Sequence, residues 1–195
     1  MNKDAIVVII VVLGLAALFG VMNGKLTGNT AMDNKGKIIS FETNKGDIKI
    51  RLYTDMPITT ENFVKLVNQG FYDGVLFHRV IDSFMIQGGD PLTKDPTKKS
   101  MWGTGGSDVI KDEFTHSGGN KNNAYTIAMA NAGPNTGSSQ FFINLVDNNY
   151  LDSKHPAFGE VIEGIDVVNA IEQVRVDASD RPIEEVKIIK ASIVE

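Results

Sequence analysis

Two stretches of the sequence bring together side chains that can build a small site. The first runs Phe77-His78-Arg79-Val80-Ile81-Asp82-Ser83-Phe84-Met85-Ile86-Gln87-Gly88-Gly89-Asp90. The second runs Met129-Ala130-Asn131-Ala132-Gly133-Pro134-Asn135-Thr136-Gly137-Ser138-Ser139-Gln140-Phe141-Phe142-Ile143. Each sets large apolar side chains beside a few long hydrogen-bonding ones and includes glycine-rich turns. That is the makeup of a pocket with an apolar floor and fixed polar groups. Other chemistries lack their residues. There is no cysteine, which excludes disulfides, thiolate nucleophiles and cysteine-ligated zinc. His78, His116 and His155 lack the close spacing of a typical zinc site, and Gly103-Thr104-Gly105-Gly106 lacks the lysine of a phosphate loop. Ser138 and Ser139 do not sit in a nucleophile elbow and have no matching base.

The elements that must position these residues follow from periodicity. Lys37 to Tyr53 contains two alternating segments around Asn44-Lys45-Gly46, with Ile48, Ile50 and Leu52 on one side and Asp47, Lys49 and Arg51 on the other, which predicts a β-hairpin. After Pro57, the residues Phe63, Leu66 and Val67 share one helical face, and Gly70 supplies the stop. Short β-like runs follow at 75–80, 125–129, 140–146, 158–162 and 186–194, separated by stretches dense in Gly, Asn, Asp and Pro. A second short helix is expected over 165–174, where Val167, Val168 and Ile171 share a face behind Gly164. Many short strands with two isolated helices do not alternate as β-α-β, so a mostly antiparallel barrel or sandwich is expected rather than a doubly wound parallel sheet.

The chain of 195 residues, with 42% hydrophobic and 22% charged content, is sized for one globular domain plus an appendage. A formal charge of -5 offers no basic face for phosphates, so nucleic acid is not an expected partner. The appendage is the run from Ala5 to Met22, free of charged or strongly polar side chains. As a helix it is roughly 27 Å long at about 1.5 Å per residue, close to the thickness of a bilayer core. Residues 1–22 are therefore read as an N-terminal membrane anchor or signal segment, 23–37 as a flexible linker and 38–195 as the working domain. Gly20 to Lys25 matches a cleavage site poorly, which favours the anchor. The expected topology has the N-terminus inside and the domain outside the cytoplasm, with secretion after cleavage as the alternative.

The two blocks resemble the signature stretches of the cyclophilin family of peptidyl-prolyl cis/trans isomerases, and the likeness extends over Ile38 to Glu195. The resemblance implies a mainly β fold, a closed eight-stranded antiparallel β-barrel capped by two α-helices, here preceded by the N-terminal hydrophobic, transmembrane helix. It implies isomerase activity without a cofactor or metal, acting on proline-containing polypeptides. It assigns Arg79 as the catalytic side chain and Phe84, Met85, Phe142 and Leu151 as the apolar pocket for the proline ring. His78, Gln87, Ala130, Asn131, Gln140 and His155 then border or hydrogen-bond the bound peptide, and Tyr150 stands where many members have tryptophan. Adjacent strand residues point to opposite faces, so one of His78 and Arg79 is expected to be structural.

Amide physics explains the assignment. Rotation about X-Pro is opposed by a barrier of about 18 to 20 kcal/mol arising from C–N resonance. In the twisted transition state the nitrogen lone pair is localised and accepts a hydrogen bond, which a guanidinium can donate without any proton transfer. No substrate bond breaks, so no covalent intermediate is needed. Two departures from the family pattern stand out. Asp82-Ser83 replaces a common Pro-Gly turn, and Tyr150 removes an indole donor from the pocket rim, from which weakened binding of cyclosporin-like cyclic peptides is expected. Leu92 to Trp102 is a longer, more basic loop than in many relatives, read as solvated. The alternatives to catalysis are a proline-peptide binding module and a chaperone surface independent of Arg79.

Overall fold

The computed structural model describes residues 36–194. Eight strands, β1 (Ile38–Thr43), β2 (Gly46–Leu52), β3 (Arg79–Ile81), β4 (Met85–Gly88), β5 (Thr126–Met129), β6 (Phe141–Asn144), β7 (Ala157–Glu163) and β8 (Ile188–Ile193), form one sheet in the order β3-β4-β6-β5-β7-β2-β1-β8. Every pairing is antiparallel. Two helices, α1 (Pro57–Asn68) and α2 (Ile165–Glu172), pack on it, α1 against β8 and α2 against β2, β3 and β4.

The expected hairpin is present. β1 and β2 meet at Thr43 opposite Gly46, and Ile48, Ile50 and Leu52 are buried while their neighbours are not. α1 buries Phe63, Leu66 and Val67 and stops at Gly70, whose φ is +63°. There the Gly70 N–H donates to Val67 O at 3.0 Å and the Phe71 N–H to Leu66 O at 3.0 Å, the paired bonds of a Schellman stop. At its other end Met56 cannot cap. A buried glutamate from a distant loop does so instead, Glu113 Oε2 accepting the Thr59 N–H at 2.9 Å. α2 turns Val168 and Ile171 inward as its spacing requires. The core beneath is aromatic: Phe41, Phe63, Tyr72, Phe141 and Phe158 are fully buried, with Phe63 edge-on to Phe141 at 5.7 Å.

Two expectations are corrected. The barrel is not closed: β3 and β8 are the edges of the sheet, joined by no ladder. Only a Leu76–Lys187 bridge and main-chain bonds such as Phe77 N–H to Val186 O, 2.9 Å, link the neighbouring segments. The cause is local. β3 has three residues, and its outer edge is taken by the 174–183 loop, with the Val80 N–H donating to Asp180 O at 2.8 Å. The expected N-terminal membrane-spanning helix is likewise not among the described elements. No helix among the described residues is long and apolar enough to cross a membrane, and the run expected to form one, 5–22, lies outside them. The basic 92–102 loop carries two 3-10 turns, Pro91–Lys94 and Pro96–Met101, whose preceding residues Asp90 and Asp95 cap them.

The β3–β4 turn carries a backbone cost. Ser83 has φ +54° at a position where the chain prefers glycine, and its N–H donates to Glu172 Oε1 at 2.9 Å. A left-handed residue other than glycine costs about 1–2 kcal/mol, and glycine returns about half of that as unfolded-state entropy. Ser83→Gly is therefore expected to stabilise the domain by up to about 1 kcal/mol, read as a higher urea midpoint at unchanged slope; a lower midpoint contradicts the account.

Candidate functional site

The pleat of five strands builds the site. Arg79 on β3 is registered with Gln87 on β4, Gln87 with Phe142 on β6, Phe142 with Ala128 on β5, and Ala128 with Ala157 on β7. The row one residue along, Val80, Ile86, Ile143 and Ile127, lies wholly in the main core. Side chains alternate across a sheet, so the Arg79 row faces away from that core. On this outer face Met85, Ala128, Phe142 and Ala157 form a second apolar cluster, with Ile81, Phe84, Ala130 and Leu151 packed around it. The sequence-assigned pocket residues Phe84, Met85, Phe142 and Leu151 thus come together, with Arg79 at the edge of the row.

One wall comes from the segment after β6. Leu151 sits in a 3-10 turn, Asn149–Leu151, and Tyr150 beside it is 66% exposed and stacks on Phe84 with ring centroids 6.4 Å apart. His155 stands edge-on to Phe142 at 5.4 Å. Its Nδ1 lies 3.1 Å from Met129 O; a carbonyl only accepts, so Nδ1–H is the donor of this bond. Holding this wall is a set of asparagines that sequence reasoning passed over as turn residues. Asn148 Nδ2 donates to Phe84 O at 2.9 Å and to Asn144 Oδ1 at 2.9 Å, and Asn144 Nδ2 donates to Thr126 Oγ1 at 3.0 Å. Asn120 and Asn122 both donate to His155 O, at 2.9 and 3.1 Å. Asn144 and Asn122 are fully buried, and such amides are tolerated only when paired.

The other side is a groove of about 550 Å³ whose lining includes Gln87, Gln140, Ala130, Asn131 and the 103–107 loop. Gln87 Nε2 donates to Gln140 Oε1 at 3.0 Å, and Gln140 Nε2 donates to Gly103 O at 3.0 Å and Gly105 O at 2.6 Å. The loop is tied from beneath by Asp90, a fully buried carboxylate that accepts the N–H groups of Leu92 (2.8 Å), Gly103 and Gly105 (3.2 Å). A Cβ on Gly105 would come within 2.2 Å of Asp90 Oδ1, so only glycine passes there without a shift. Asn131 does not aim its amide into the open groove: Nδ2 donates to Lys154 O at 2.8 Å, and Oδ1 accepts from the Gly133 N–H.

His78 goes elsewhere. It is 5% exposed and lines a separate cleft of about 200 Å³ with Trp102, Pro96 and Arg181, outside both the apolar cluster and the groove. Burial pushes its pKa down to about 4, against the opposing pull of the Asp90 carboxylate. Its main chain still serves the sheet, the His78 N–H donating to Gln87 O at 3.0 Å. Among the described residues no group of acidic, histidine or cysteine side chains could hold a metal ion. The outer face therefore offers an apolar floor, one guanidinium and fixed amide dipoles, which suits binding a short apolar peptide segment.

Known proteins resemble this chain in sequence and fold. Residues 38–193 match the family described as cyclophilin type peptidyl-prolyl cis-trans isomerase/CLD. The peptidyl-prolyl cis-trans isomerase ppi1 of Schizosaccharomyces pombe is 47% identical over 154 residues, covering 78% of this chain and 96% of that protein. Peptidyl-prolyl cis-trans isomerase CYP71 of Arabidopsis thaliana is 44% identical over 167 residues, 85% of this chain but 26% of that much longer protein. Among solved structures, a Cryptosporidium parvum cyclophilin type isomerase superposes with a TM-score of 0.73 at 32% identity, covering 82% of this chain and 98% of its own. The same protein crystallised in the presence of the dipeptide Ala-Pro gives a TM-score of 0.72 at 32% identity, covering 81% and 99%. With the family match running over residues 38–193 and a relative 47% identical that is covered to 96% of its length, the chain belongs to the cyclophilin family and is a peptidyl-prolyl cis-trans isomerase.

Proposed function

We propose that Arg79 is the catalytic donor and that the proline ring of the substrate sits on Phe142, held by Met85, Phe84 and Leu151. The observation that carries this reading is the cross-strand row, which sets the Arg79 backbone in register with Gln87 and Gln87 with Phe142 on the outer face. Crystallisation of the Cryptosporidium parvum relative in the presence of the dipeptide Ala-Pro is in keeping with a proline-containing ligand. In the ground state the amide is planar and its nitrogen accepts no hydrogen bond; in the twisted state it does. A guanidinium at that position therefore favours the transition state over either isomer, and the fixed dipoles along the groove add to the difference. Gln87, Gln140, Ala130, Asn131 and His155 shape the channel for the flanking residues, Asn131 by pinning its loop. His78 acts through the fold, behind the strand.

Tyr150 is proposed to make binding of cyclosporin-like cyclic peptides weak, because its exposed ring stacks on Phe84 without an indole N–H to donate. Tyr150→Trp is expected to tighten such binding, measured calorimetrically, and equal or weaker binding contradicts the assignment. Placement of the domain at a membrane and outside the cytoplasm is a proposal resting on the composition of residues 5–22 alone, and protease protection of intact cells tests it.

Arg79→Ala removes one charge-assisted hydrogen bond, worth about 1.5–3 kcal/mol, and is expected to lower kcat/KM on an X-Pro peptide roughly 10- to 100-fold. A folded variant with undiminished activity contradicts Arg79 as donor. Because no group in the proposed step exchanges a proton, kcat/KM is expected to be flat over neutral pH. Stability is not flat. The unfolded chain protonates His78 below its ordinary value of 6.5, while the folded chain resists until about 4. The stability present near pH 7 is therefore lost as pH falls between those values, by an amount on the order of 3 kcal/mol. His78→Gln is expected to shrink the acid-induced drop in urea midpoint between pH 7 and 4.5, and an unchanged drop contradicts the assignment.

A further inference from the structure

We infer that Asp180 is a positioning residue for Arg79, an inference that rests on Arg79 as the donor and adds the means by which its guanidinium is aimed. β3 is an edge strand, so nothing in the sheet lies beyond Arg79 to hold a long side chain that is 43% exposed. The 174–183 loop supplies the missing neighbour. It is tied within itself before it touches the strand. Asp177 Oδ1 accepts the N–H groups of Ser179 at 2.8 Å and Arg181 at 3.1 Å, and the Asp177 N–H donates to Arg181 O at 2.8 Å. The Ile183 N–H closes the base of the loop on Arg175 O at 2.9 Å.

At the tip, Asp180 has φ +61°, a left-handed conformation that aspartate tolerates better than most residues. Its carbonyl takes the Val80 N–H at 2.8 Å, and its carboxylate Oδ2 lies 3.5 Å from Arg79 Nε. The contact point matters. A guanidinium has five N–H donors in a fixed plane, and a carboxylate at Nε leaves the four on the terminal nitrogens for the substrate. The same residue thus fixes the strand edge through its backbone and the arginine through its side chain. An exposed ion pair adds little to stability, but restraining one arginine before substrate arrives removes that ordering cost from the reaction.

The experiment compares the wild type with Asp180→Asn, Arg79→Ala and the double variant, using cis/trans exchange of an X-Pro peptide. Asp180→Asn keeps the main-chain bond and is expected to lower kcat/KM about five-fold, which is about 1 kcal/mol. In the Arg79→Ala background the same change is expected to have no further effect. Raising salt from about 50 to 500 mM is expected to move the wild type toward the Asp180→Asn value and to leave that variant unmoved. The NMR order parameter of the Arg79 Nε–H group is expected to fall in Asp180→Asn, a readout independent of turnover. Unchanged activity and order parameter in Asp180→Asn overturn the positioning role, as does a five-fold loss that persists without Arg79, which assigns Asp180 to loop folding. Full activity of Arg79→Ala instead overturns the donor assignment itself, so the two failures are distinct.

Discussion

The site depends on the register of short antiparallel strands. Because side chains alternate with period two, pairing Arg79 with Gln87 and Gln87 with Phe142 sends that row outward and seats Val80, Ile86 and Ile143 in the aromatic core. A slip of one residue would exchange the rows, burying an arginine and exposing three apolar side chains. The core therefore enforces the site: the burial that stabilises the fold also fixes which face carries the chemistry. This coupling explains how a three-residue edge strand can hold the side chain proposed as the catalytic donor.

What the sheet leaves open, polar scaffolds complete. On one side the asparagines around Asn144 and Asn148 hold the turn that brings Leu151 and His155 over Phe142. On the other, buried Asp90 and Gln140 grip opposite polarities of the same glycine loop, one taking its N–H groups and the other donating to its carbonyls. Such rigidity suits a reaction in which no bond breaks. An acceleration of roughly five decades needs about 7 kcal/mol of preference for the twisted amide, and one charge-assisted hydrogen bond supplies about 1.5–3 kcal/mol of it. The remainder falls to the apolar grip, the fixed dipoles and the exclusion of water, all of which require walls that do not move.

Much of this was legible in the sequence where the signal is local. The hairpin at Asn44 to Gly46, the two helices with their inward faces and the glycine stop at Gly70 follow from spacing over a few residues. The opposed directions of His78 and Arg79 also follow from strand period, and the structure sends His78 into its own cleft. The open edge between β3 and β8 was not legible, because it depends on how far distant segments pair and on a loop that takes the β3 edge. The asparagine network was hidden for a different reason. Residues that favour turns look alike whether they face water or knit buried walls, and only the fold shows that Asn122 and Asn144 are fully buried. Asp180 shared that anonymity.

The central claim, that the outer Arg79 row rather than any other cleft does the work, is open to one direct measurement. A ¹H–¹⁵N NMR titration of residues 36–195 with an X-Pro peptide reports both where the peptide lies and whether it exchanges. The account predicts saturable shifts at Arg79, Gln87, Ala130, Phe142 and His155, together with enzyme-dependent cis/trans exchange peaks in the peptide. Shifts confined to the cleft of about 310 Å³ lined by Tyr53, Pro57, Glu61 and Val64, or exchange without perturbation of the Arg79 row, would contradict it.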